Sequence, residues 1–164
     1  MKKLSKKKIV LLICLLLVVG VAGALFVNSH TVFPYITEKN IVYMPKGLAV
    51  SAYHEISIDS EDCWVFKPNK KERSVLLEDV QTDSWSKMEA HHIELLARLC
   101  PNFGDGKVVN KLYGDNEIYI CVYDAWHEEN ISNYEDVCSV RTTKWIIYAY
   151  DADENLYYCF YVTT

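Results

Sequence analysis

One unbroken apolar run, Ile9 to Val27, precedes a long stretch in which apolar and polar residues alternate or recur at three- and four-residue spacing. As a helix, these nineteen residues cover about 28 Å, close to the ~30 Å hydrocarbon core of a bilayer. Five lysines stand before the run, and none follows it between Asn28 and Tyr35, so the positive-inside bias predicts a cytoplasmic N-terminus and an external C-terminal part. Two readings of the run stay open. A signal anchor uses its whole length, whereas Ala22-Gly23-Ala24 has the small-x-small pattern of a signal peptide cleaved after Ala24.

The pattern beyond the run predicts an α+β domain. Asn28 to Asn40 has no period and suits a stalk. Strands are expected over Ile41–Met44, Leu48–Ile58 and Cys63–Lys67, with turns at Pro45-Lys46-Gly47 and at Asp59 to Asp62. Asn69 and Glu72 form a capping pair for a helix over Lys70–Gln81 with Leu76, Leu77 and Val80 buried. Trp85, Met88, His92, Leu95, Leu96 and Leu99 predict a second, amphipathic helix reaching from about Trp85 to Cys100-Pro101, with Ser86 and Glu89 as another capping pair. Four strands then follow as a meander: Lys107–Tyr113, Glu117–Trp126, Lys144–Tyr150 and Leu156–Thr163. The expected organisation is a basic segment 1–8, a membrane span 9–27, a stalk 28–40 and an extracytoplasmic domain 41–164, with about two helices on a mainly antiparallel sheet.

Side chains alternate across a strand, so the two faces of the meander separate by parity. Ile118, Ile120, Val122, Trp145, Ile147, Ala149, Leu156, Tyr158, Phe160 and Val162 share one face, expected under a helix. Tyr119, Tyr123, Tyr148, Tyr150, Tyr157 and Tyr161 share the other with Cys121, Ile146 and Cys159, and gather six of the chain's twelve tyrosines. Tyrosine suits interfaces because it joins a large ring to a hydroxyl, so these six are the candidate surface for a protein, peptide or glycan partner. The competing readings are a second core covered by the N-terminal strands, Ile41 to Lys67, and an ordinary sheet exterior, since aromatics favour strands.

Composition narrows the function classes. Setting aside the five N-terminal lysines leaves twelve basic residues against twenty-two acidic ones, a formal charge near −10 on the outer part. Such a surface disfavours nucleic acid and anionic headgroups. The outer part has five cysteines, an odd number, and no C-x-x-C spacing, so free buried thiols and one or two bridges are both open. A sequential meander puts Cys121 and Cys159 two strand spacings apart, about 9 to 10 Å, too far for a disulfide.

Candidate chemistry is sparse. Glu89, His91, His92 and Glu94 lie at helical spacing that can pair a carboxylate with a histidine, but a metal site needs ligands from other elements as well. Asp151-x-Asp153-x-Asn155 opens like a calcium loop and then departs from it, with Leu156 at the glycine position and Val162 at the glutamate position, and reads as a hairpin turn. Pairing of Cys100 or Cys138 with His54 or His127 is the remaining route to nucleophilic catalysis. Asn130-Ile131-Ser132 is a formal N-glycosylation acceptor in a eukaryotic host. No cofactor or metal is expected. The leading expectation is a membrane-anchored binding, sensing or envelope-accessory domain without catalysis. Its rivals are a small envelope hydrolase using the His91/His92/Glu94 region or a thiol, and a secreted disulfide-stabilised protein.

Overall fold

The computed structural model describes residues 6–30, 43–54, 61–99, 111–112, 114–126, 128–131 and 144–163. Its elements are α1 (Lys6–His30), β1 (Ser51–His54), β2 (Glu61–Phe66), α2 (Lys70–Asp79), β3 (Ser86–Lys87), α3 (Ala90–Leu99), β4 (Ile118–Asp124), β5 (Glu129–Ile131), β6 (Lys144–Asp151) and β7 (Leu156–Thr163). Among the described residues the fold is α+β: one long apolar N-terminal helix, then two helices packed with an open sheet of order β1-β2-β7-β6-β4-β3, with β5 paired to β4 off that path. Every strand pair is antiparallel.

α1 follows from its composition. Its 25 residues rise about 37 Å, and none of them is buried. Its apolar side chains are exposed along the whole helix, which is compatible with a membrane anchor or a signal sequence.

The capping pair read from the sequence starts α2. The Asn69 side chain accepts from the Lys71 and Glu72 amides at 3.0 and 3.1 Å, and Glu72 returns the bond to the Asn69 amide at 2.9 Å. Both orphan ends of the first turn are thereby satisfied. Leu76 and Val80, one turn apart, are buried, but Leu77 is rotated off that stripe and exposed.

The two faces of the sheet divide by parity as expected. On one, Trp64, Phe66, Cys121, Tyr123, Ile146, Tyr148, Tyr150, Tyr157, Cys159 and Tyr161 pack with Leu76 and Val80 of α2 and with Met44, Ala49 and Trp85. On the other, Ile118, Ile120, Val122, Trp145, Ile147, Ala149, Tyr158, Phe160 and Val162 pack with Leu95 and Leu96 of α3. Each face has its own helix, and both are cores.

Several expectations change. Residues 43 and 44 form no strand; Met44 lies in the tyrosine-side core, and 41–42 fall outside the described residues. Of Leu48–Ile58, β1 spans Ser51–His54, and 55–60 fall outside. The second helix starts at Ala90 rather than Trp85, because Ser86 and Lys87 pair with Ile120 and Tyr119 at the sheet edge. There the chain passes from one face to the other, with Trp85 in one core and Leu95 in the opposite one. Ser86 is therefore a strand residue, and its expected capping role is not met. Of the expected strand 107–113, residues 111 and 112 form a turn and the rest lies outside the described residues. Residues 28–30, read as the start of a stalk, are the last turn of α1, and 31–40 lie outside the described residues.

Candidate functional site

Of the six tyrosines read as a partner surface, five are buried: Tyr123, Tyr148, Tyr150, Tyr157 and Tyr161. Tyr119 is half-buried and bonds the Glu117 carboxylate at 2.9 Å. Rather than forming the expected open face, these five lie in a core covered by α2 and residues 43–49. β2, expected to help cover the face, instead extends the sheet beside β7. Buried hydroxyls need acceptors. Tyr157 donates to the Tyr43 carbonyl at 2.6 Å, and Tyr150 to Asn155 Oδ1 at 3.0 Å. Burial pushes the Tyr148 and Tyr157 hydroxyls far above the usual phenol range, so both stay protonated.

The histidine cluster is engaged locally. His92 Nδ1 accepts the Glu89 amide hydrogen at 3.0 Å, which closes the start of α3. Burial, and then the neighbouring His91, hold the His92 pKa down to about 4, so the ring is neutral near pH 7 with its proton on Nε2. The His91 ring lies against it at a tilt, centroids 3.9 Å apart, and 3.4 Å from the Glu89 carboxylate, an exposed pair of little energetic weight. Glu94 is exposed. Beside His92, between α3 and the β3–β4 edge, is a cavity of about 30 Å³ that Asp83, Ser84, Ser86, Cys121 and Asn130 also line. It has the size of a water site. Asn130 Nδ2, the atom a glycan would modify, donates to Ser84 Oγ at 3.1 Å, and Ser132 lies outside the described residues. Among the described residues no group of three or more His, Cys, Asp or Glu side chains is placed to hold a metal.

The Asp151–Asn155 segment is the β6–β7 hairpin turn. Buried Asp151 accepts from the Asn116 side chain and the Glu154 amide, both at 2.8 Å, while Asp153 accepts the Glu117 amide at 2.8 Å. Asn155, at φ 53, donates to the Pro68 carbonyl at 2.7 Å. Asparagine is among the residues that enter this left-handed region most readily. These oxygens tie the turn to its neighbours rather than converge on one point.

Cys63, Cys121 and Cys159 are free and buried. Burial pushes the Cys121 thiol up to about 12, and those of Cys63 and Cys159 up as well, which removes the nucleophilic thiolate. Tyr148 stands between Cys121 and Cys159 in the cross-strand register, as the sequential strand order requires. With Cys63, Cys121 and Cys159 free, at most one bridge joins the five cysteines after residue 27. Cys100, Cys138 and His127, the other thiol-chemistry candidates, lie outside the described residues.

The remaining feature is the junction of α1 with the domain, which the sequence reading missed. The last carbonyls of a helix lack intrahelical partners. Ala49 N–H donates to the His30 carbonyl at 2.7 Å, and the next residue, Val50, donates to the Val65 carbonyl of β2 at 2.6 Å. His54, on β1, lies 3.4 Å from the Ser29 carbonyl through Nε2 and 3.0 Å from the Asp62 carboxylate through Nδ1. The helix end is thus bonded to the edge of the sheet. Leu48 and Val50 flank Ala49 and are 53% and 57% exposed.

The chain matches no protein-family model, no curated protein and no solved structure.

Proposed function

We propose that this chain is a single-pass membrane protein whose C-terminal domain lies outside the cytoplasm and binds or senses a partner without catalysis. The observation that carries the anchor is the continuity of α1: it runs helical through Ala22-Gly23-Ala24 and on to the His30–Ala49 bond. A chain cut after Ala24 would begin with Leu25, Phe26 and Val27, all more than half exposed. Leaving that apolar surface in water is unfavourable at roughly 25 cal/mol per Å². The five N-terminal lysines support the orientation. The non-catalytic role is supported by how the polar groups are used: His92 closes a helix, Asp151, Asp153 and Asn155 hold a turn, and the described outer thiols are buried.

Intact mass of the protein recovered separately from membranes and medium, alkylated in denaturant without reduction, tests the reading. Full-length chain confined to the membrane, with Cys63, Cys121 and Cys159 labelled, supports it. A species in the medium that starts at Leu25 would replace the anchor with a cleaved signal. For the non-catalytic role, alanine at both His91 and His92 should leave the cellular phenotype intact in a folded protein; its loss would favour the hydrolase.

A further inference from the structure

Leu48 and Val50 stand out in the domain as large apolar side chains more than half exposed at the very end of α1. Their height relative to a bilayer follows from the helix. His30 lies three residues beyond Val27, about 4.5 Å of rise past the last apolar residue of the span. The headgroup layer on each side of the hydrocarbon is roughly 5 to 7 Å thick. Ala49 is bonded to the His30 carbonyl, so its two neighbours sit within that layer whenever α1 spans the membrane. Lys46, exposed in the turn just before them, adds a cation in a domain that is otherwise strongly acidic. An apolar pair beside a lysine suits the boundary between lipid phosphates and acyl chains.

We infer that Leu48 and Val50 form a lipid-contacting patch that seats the domain on the outer headgroup layer beside its own anchor. The inference rests on the anchored reading and adds an orientation to it: the β1 edge faces the bilayer, and β3, at the opposite end of the sheet path, stands away from it. Five strand spacings, about 24 Å, separate the two edges.

Site-specific photo-crosslinking of the full chain in vesicles of phosphatidylcholine and phosphatidylglycerol tests this. A photoreactive residue is placed in turn at Leu16 within α1, at Leu48, at Val50, and at Lys87 on β3. Lipid adducts at 16, 48 and 50, several-fold above those at 87, are the expected result. Adducts at 16 without adducts at 48 and 50 would overturn the patch and leave the anchor standing. No adduct at 16 would overturn both. Equal yields at 48, 50 and 87, or protein adducts in place of lipid at 48 and 50, would also overturn the patch.

Discussion

The tyrosine-rich and aliphatic faces of the sheet come from the same three strands, β4, β6 and β7, yet they solve burial differently. Isoleucine, valine and phenylalanine against Leu95 and Leu96 need only matched volume. The tyrosine side must also place hydroxyls, and it does so with partners far away in sequence: Tyr157 reaches Tyr43, while Asn155 joins Tyr150 to Pro68. The aliphatic face is held chiefly by packing, the tyrosine face also by hydrogen bonds to segments distant in sequence. A buried aromatic face of this kind fixes the chain segments that cover it, and here one of those segments, residues 43–49, ends at the bond to α1.

The sharpest way to break this contrast is to empty each face in turn. Ile147→Ala, in the aliphatic core, should destabilise by about 2 to 5 kcal/mol through lost transfer energy and a cavity. Urea unfolding of the full chain in detergent measures it. Tyr157→Phe removes one oxygen and strands the Tyr43 carbonyl, so the expected loss is smaller, about 1 to 3 kcal/mol. It should come with faster hydrogen exchange at residues 43–49, which Ile147→Ala leaves unchanged at matched stability. If Tyr157→Phe is neutral, the directional bond is not what distinguishes that face. Below these lies Asn69→Ala, which removes the cap of α2 and should cost about 1 kcal/mol, loosening the helix over the tyrosines and not α3.

A pH series sharpens the aliphatic side, because His92 opens the helix that covers it. The folded pKa of His92, about 4, is below the usual 6.5 of the unfolded chain, so the unfolded state binds more protons between these values. Stability from this group is therefore complete above pH 6.5 and falls as the pH drops toward 4. The urea midpoint of the wild-type chain should fall more across that window than that of His92→Asn. Parallel slopes would remove His92 from the account.

What could be read in the sequence was local or strictly periodic. Asn69 with Glu72 specified a helix start, and β-strand parity sorted the residues of β4, β6 and β7 onto their faces. What could not be read depends on where distant segments land. Trp85 and Met88 share helical spacing with Leu95, but Ser86 and Lys87 between them pair with β4, and no local signal competes with that long-range pairing. The tyrosines carry no mark of being covered, because their lid is α2, whose own sequence shows a buried stripe without saying what it meets. The α1 junction was hidden for a similar reason: the Ala49–His30 bond joins backbone groups, which any residue supplies, and no local signal pairs His54 with Ser29.

The row Cys121, Tyr148, Cys159 bears on how the chain reaches its fold. In an oxidising compartment, two thiols on a chain not yet folded are free to join, and that crosslink would draw together strands that the finished sheet holds two spacings apart. For a chain that folds in such a compartment, biogenesis is then a race between strand pairing and oxidation. Inserting β6 between β4 and β7 ends it, since the same step that completes the sheet separates the sulfurs and seals them from oxidants.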